Sequence, residues 1–169
     1  VSDHVIVRHD SGTALLRIIG LLTPDQRNEI VVELMKGLEV GEYEFSKYIP
    51  QYLGQAALWL PPEQLEELLA DLSQTLNAAS GRMAASALDT VGVIYEEYDT
   101  YRTRFPEEPE AYRSRRERLL SMLMKRLAGG DGGTRQEAMF VLGRRVFGSG
   151  SLGEHEKRRA FLLTGRKLL

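Results

Sequence analysis

Apolar residues recur at intervals of three and four along most of the chain, the spacing that lines one face of an α-helix. No run alternates with period two for long enough to make a strand, so the pattern predicts an all-α protein. It is clearest from Pro62 to Asn77, where Leu65, Leu68, Leu69, Leu72 and Leu76 form one stripe. Glu63, Glu66, Glu67, Asp71 and Gln74 take the opposite, solvated side. Pro61 and Pro62 start this helix, because proline in a first turn gives up only an N–H that had no helical partner. The same signals predict helices over 13–22, 24–39 (capped by Thr23 or Asp25), 46–59, 81 to 98 or 101, 110–128, 134–147 and 154–168. Gly129 to Gly133 and Gly148 to Gly153 are expected as turns, and Phe105-Pro106-Glu107-Glu108-Pro109 as a break.

Connections this short make neighbouring helices antiparallel, so the string reads as helix hairpins laid side by side. An aliphatic-glycine pair recurs in them, as Ile19-Gly20, Leu53-Gly54, Val91-Gly92 and Leu142-Gly143, at spacings of 34, 38 and 51 residues. The last spacing is lengthened by the proline-rich insertion near Phe105. Periods of this size belong to two-helix solenoid repeats. The sequences Ala84-Ala85-Ser86-Ala87-Leu88 before Val91-Gly92, and Glu137-Ala138-Met139 before Leu142-Gly143, resemble the second helices of HEAT repeats.

The resemblance to HEAT and armadillo repeats implies an α-solenoid of about three hairpins with a half repeat at each end, spanning residues 1–169 as one domain. It implies a non-catalytic scaffold that binds protein on a concave surface. The sequence departs from that pattern in lacking a regular turn Asp followed by Arg and a consistent proline in the first helices. Met35-Lys36-Gly37-Leu38-Glu39 resembles part of the helical tail of large bacterial nucleotidyltransferase-related proteins, although no residue here carries that chemistry. The apolar residues Ala160, Phe161, Leu162, Leu163, Leu168 and Leu169 of the last predicted helix lack a polar capping face. That leads us to expect a section of a longer repeat protein, able to self-associate weakly through its end helices.

Composition narrows the class without changing the picture. The 169 residues are 43% hydrophobic and 27% charged, the balance of a globular protein, with no apolar run long enough for a membrane span. The absence of cysteine excludes disulfides and thiolate chemistry and fits a cytoplasmic protein. Charge is uneven. Residues 1–100 hold 6 Lys/Arg against 16 Asp/Glu, a net of −10, and residues 101–169 hold 16 against 8, a net of +8. Such asymmetry suits either complementary partners or neighbouring repeats that complement each other.

Candidate chemistry is sparse. Gly148-Ser149-Gly150-Ser151-Leu152-Gly153 spells G-x-G-x-x-G, but the dinucleotide fingerprint needs a buried strand before it, and Gly143 to Phe147 continues a helical pattern. His9-Asp10, with His4 and Asp3, lacks the third and fourth converging ligands of a metal site, and His155 belongs to another predicted hairpin. Neighbouring carboxylates such as Glu66-Glu67 and Glu96-Glu97 point about 100° apart on a helix and cannot flank one bond, so they read as solvated faces. No nucleophile with a base partner is present, so neither catalysis nor a cofactor is expected. Tyr95, Tyr98 and Tyr101, with Tyr43, Tyr48 and Tyr52, read as core between hairpins with hydroxyls reaching solvent.

The strongest functional signal is the arginine-rich second half, from Arg113, Arg115, Arg116 and Arg118 through Arg135, Arg144 and Arg145 to Lys157, Arg158 and Arg159. Arginine favours forked contacts to carboxylate or phosphate. An alternative function follows, a nucleic-acid-binding or DNA-repair solenoid like the HEAT-like alkylpurine glycosylases, although a pI near 6 opposes it. The polar positions three before and one after the repeated glycines are Arg17, Gln51, Asp89, Gln55 and Arg144. From these and the basic cluster, Gln51, Gln55, Asp89, Arg135, Arg144 and Arg145 are nominated as the partner-binding surface. On that reading, alanine at Gln51, Asp89 and Arg144 leaves thermal stability nearly unchanged.

Overall fold

The computed structural model describes residues 11–38, 47–129 and 132–147, which are helical with no strand among them. Helix α1 covers 11–18 and tightens into a 3-10 turn, Ile19–Leu21. Then follow α2 (Pro24–Leu38), α3 (Ile49–Ala57), α4 (Pro62–Ala78), α5 (Gly81–Glu96), α6 (Tyr98–Arg104), α7 (Pro109–Gly129) and α8 (Gly132–Val141). A π-helical turn, Leu142–Phe147, continues α8. The helices expected over 13–22 and 154–168 fare differently: the first is α1, and the second lies outside the described residues, as do the histidines, Tyr43 and the glycine-rich motif at 148–153.

Local chemistry explains several boundaries. Thr23 caps α2 in a reciprocal box: the Gln26 backbone N–H donates to its Oγ1 (3.3 Å), and the Gln26 side-chain oxygen accepts from the Thr23 N–H (3.0 Å). Gly81 opens α5 at φ +61, a left-handed conformation that glycine adopts without steric cost. The helix predicted through Tyr98 or Tyr101 instead divides at Glu97, whose N–H still reaches the Val93 carbonyl while its own carbonyl accepts from Thr100. The division swings Tyr98 and Tyr101 inward. Their rings stack at 5.3 Å, Tyr112 stacks on Tyr98 at 5.6 Å, and both hinge tyrosines are fully buried.

The carbonyls at the ends of α1 and α3 are bonded by arginines. Arg27 donates to the carbonyls of Ile19 (2.9 Å), Gly20 (3.1 Å) and Trp59 (3.1 Å), while Arg104 donates to Leu58 (3.3 Å) and stacks on the Trp59 ring at 3.8 Å. Helix C-termini carry unsatisfied carbonyls and partial negative charge, so guanidinium groups suit them.

α5 is the hub. It packs against α3 and α8, against α4 in its own hairpin, and against α7. The helix stripe predicted for α4 is the buried one, with Leu65, Leu68, Leu69, Leu72 and Leu76 all in the core. Two of the four repeated glycines, Gly54 and Gly92, sit where neighbouring helices come close. A Cβ on Gly54 would lie 2.5 Å from Val93 Cβ, and one on Gly92 would lie 2.5 Å from Val141 Cγ1. Glycine at these positions removes the atom that would otherwise hold the helices apart. At Gly143 the space is open.

Candidate functional site

The residues around Gly92 build a polar seam across α3, α5 and the end of α8. On α5, Asp89, Gly92 and Glu96 are spaced i, i+3 and i+7 and share one helical face. Arg145 crosses the glycine, its Cδ lying 2.8 Å from where a Cβ would be, and its guanidinium arrives between the two carboxylates. Nε donates to Asp89 Oδ1 (2.6 Å), Nη1 to Glu96 Oε2 (2.9 Å) and Nη2 to Gln51 Oε1 on α3 (3.1 Å). One side chain, 5% exposed, is thereby held by three groups on two helices. Burial alone would lower its pKa, but the hydrogen bonds and charges of Asp89 and Glu96 outweigh that and raise it. One turn along α3, Gln55 donates to Glu97 (2.9 Å). Glu137 on α8 also belongs to this neighbourhood: burial, then the negative charge of Asp89, raise its pKa.

Of the six nominated surface residues, Gln51, Asp89 and Arg145 are thus bonded to one another, and Gln55 is in the adjoining bond. Arg135 stands exposed on α8 and Arg144 on the π-helical turn that continues it, both outside the seam. The expectation that Gln51 and Asp89 can be truncated without loss of stability does not fit this geometry, because both hold a buried guanidinium. Sequence reasoning missed Glu96 and Glu97, which it placed on a solvated face; both are half-buried and partnered. The signal was present in the spacing of Asp89, Gly92 and Glu96, an acid on either side of a glycine on one helical face.

A second cluster joins α4, α6 and α7. Arg115 reaches Glu66 (2.6 Å) and Glu107 and donates to the Tyr98 hydroxyl (2.8 Å), which itself donates to the Glu107 carboxylate at 3.0 Å. Arg118 also bonds Glu66. Burial would raise the pKa of Glu66, but its bonds to Arg118 and Arg115 overcome that and hold it below the usual carboxylate range. Arg116 lies over the Tyr95 ring at 4.6 Å and donates to the Tyr112 hydroxyl (2.9 Å), which in turn bonds Asp99. The rings of Tyr52, Tyr95, Tyr98 and Tyr101 are core as expected and Tyr48 is half-buried, while the Tyr98 hydroxyl ends on a carboxylate and not in solvent. Arg115, Arg116, Arg118 and Arg145 of the basic half are thereby paired with Glu66, Asp99, Asp89 and Glu96 of the acidic half.

Among the described residues no three His, Cys, Asp or Glu side chains converge as a metal site would require, and no helix is long and apolar enough to cross a membrane. The residues leading into the G-x-G-x-x-G motif are a helical turn, where the dinucleotide fingerprint needs a strand. No family model matches this chain, and neither a curated protein nor a solved structure does.

Proposed function

We propose that this chain is a HEAT-like α-solenoid that acts as a non-catalytic scaffold, binding a protein partner along its second helices. The single observation that carries this reading is the outer face of α8. Phe140 is 57% exposed beside Met139 at 42%, with Arg135 one turn before Met139 and Arg144 about one turn after Phe140. Exposed apolar residues are ordinary when scattered singly. An adjacent phenylalanine and methionine between two arginines have the residue types enriched at interface cores. The row of close helix contacts at Gly54 and Gly92 supports the solenoid reading, since stacked repeats bury such contacts between equivalent helices.

The test compares proteins captured by the wild-type chain with those captured by F140A/R144A, quantified by mass spectrometry. Both positions are exposed, so melting should stay unchanged while a specific set of proteins is lost from the variant. Identical capture would overturn the assignment of this face. The nucleic-acid reading draws less support, because Arg115, Arg116, Arg118 and Arg145 already bond groups of their own chain. A mobility shift of labelled duplex DNA that weakens steeply with salt would restore it.

A further inference from the structure

A groove of about 540 Å³ runs between α1 and α2. Leu15, Leu22, Ile30 and Leu34 line it, each half-buried, and the exposed carboxylates of Glu29 and Glu33 stand at its edge. The same two elements expose Ile18 (49%), Val32 (44%) and Leu21, whose side chain is the most exposed large hydrophobic of the described residues at 86%. The groove lining is thus apolar and its rim acidic.

We propose that this groove receives residues 157–169 of a second copy of the chain. That stretch has the complementary composition: Phe161, Leu162, Leu163, Leu168 and Leu169 are apolar, and Lys157, Arg158, Arg159, Arg166 and Lys167 are basic, with no acid among them. Apolar anchors laid in a hydrophobic groove, with charges of opposite sign meeting at the rim, are a recurrent mode of peptide recognition. A second copy fits better than the chain's own tail. The helices pack in the order α2, α3, α5, α8, so α3 and α5 intervene between the groove on α2 and α8, from which the tail leads off. The contact is then head-to-tail, joining two different surfaces, and can propagate beyond a dimer. It concerns a different face from the Phe140 surface, so the two readings stand or fall separately.

The experiment is sedimentation velocity of the full chain from low micromolar to near-millimolar concentration, at low and high salt. Wild type should gain mass with concentration, less so at high salt. Two charge reversals, E29K/E33K at the groove and R158E/R159E in the tail, should each weaken association by about tenfold or more, because like charges then face each other. Both groove glutamates are exposed, and the Glu33–Lys36 pair lost with them is a surface one, so unchanged melting checks that the fold is intact. Mixing the two variants should restore association, since each then supplies the charge the other lacks. A monomer at every concentration would overturn the proposal, and so would association that neither reversal weakens, or a mixture that stays monomeric.

Discussion

Arg145 packs its aliphatic stem directly on Gly92, with Cδ 2.8 Å from the position a Cβ would take, and this contact sets both the helix spacing and the reach of the guanidinium. Without a side chain at 92, Arg145 can lie flat across α5 and meet acids one turn to either side. Gly92→Ala must therefore displace Val141 and Arg145 together, and overpacking of this kind costs about 1–3 kcal/mol. A loss of several degrees in melting temperature is expected, with Gly143→Ala as the control, since no atom within 4 Å opposes a Cβ there. Equal melting of the two variants would show that the close contact is not what holds α5 to α8.

Asp89 and Arg145 should be strongly coupled. Removing the carboxylate leaves a guanidinium that is 5% exposed with part of its compensation gone. Asp89 itself is 25% exposed and Glu96 remains, so Asp89→Ala should cost about 2 kcal/mol, below the range for breaking a fully buried pair. Arg145→Met, which keeps the stem's packing on Gly92, should cost less. In a double-mutant cycle the two losses should fall short of additivity by about 1 kcal/mol or more. Chemical denaturation of the four proteins measures this, and simple additivity would contradict the bonding described.

These contacts show where the sequence was legible. Periodicity identified α4 and its buried stripe because a helix facing a core on one side must repeat every three or four residues. Two of the recurring glycines, Gly54 and Gly92, marked helix contacts because close approach tolerates no larger residue, whereas Gly143 marks none. Neighbour identity was not legible: Arg144 and Arg145 are chemically alike and point about 100° apart, and only the packed structure shows that Arg145 is buried and Arg144 exposed. Glu96 was misread for the same reason. The division at Glu97 was hidden because it answers to tertiary packing of Tyr98 and Tyr101, and nothing in the local sequence breaks a helix there.

Glu137 stands near Asp89 in a partly buried setting that disfavours its charge, so its pKa lies above the ordinary 4.5. A carboxyl raised in the folded state binds its proton more tightly there than in the unfolded chain, so its ionisation lowers stability as pH rises through the window just above 4.5. Above that window the cost is fully present. Glu137→Gln removes the charge and should raise the melting temperature at pH 7 by roughly 1–2 °C, the size expected of a partly exposed site. The gain should vanish once the pH is low enough to protonate Glu137 in the wild type. A variant equally stabilised at both extremes would place the effect in packing and not in charge.

Burial of the tyrosine stack makes the opposite limb of the pH curve informative. Burial, partly offset by the charge of Arg115, pushes Tyr101 up to about 12 and raises Tyr98 further, from an ordinary 10.0. Both phenols stay neutral in the folded protein at a pH where the unfolded chain has already lost these protons. Their contribution to stability is therefore complete below about 10 and is lost progressively as pH rises through 12. In a spectrophotometric titration, Tyr98 and Tyr101 should ionise only together with unfolding, seen by circular dichroism at the same pH. Tyr98→Phe tests the assignment from both sides. It removes one of the late-ionising phenols, and it leaves Glu107 and Arg115 without the hydroxyl that bridges them, at a cost of about 1–2 kcal/mol near neutral pH. Ionisation of all tyrosines near 10 in a protein that remains helical would show that the α6–α7 seam is open to solvent.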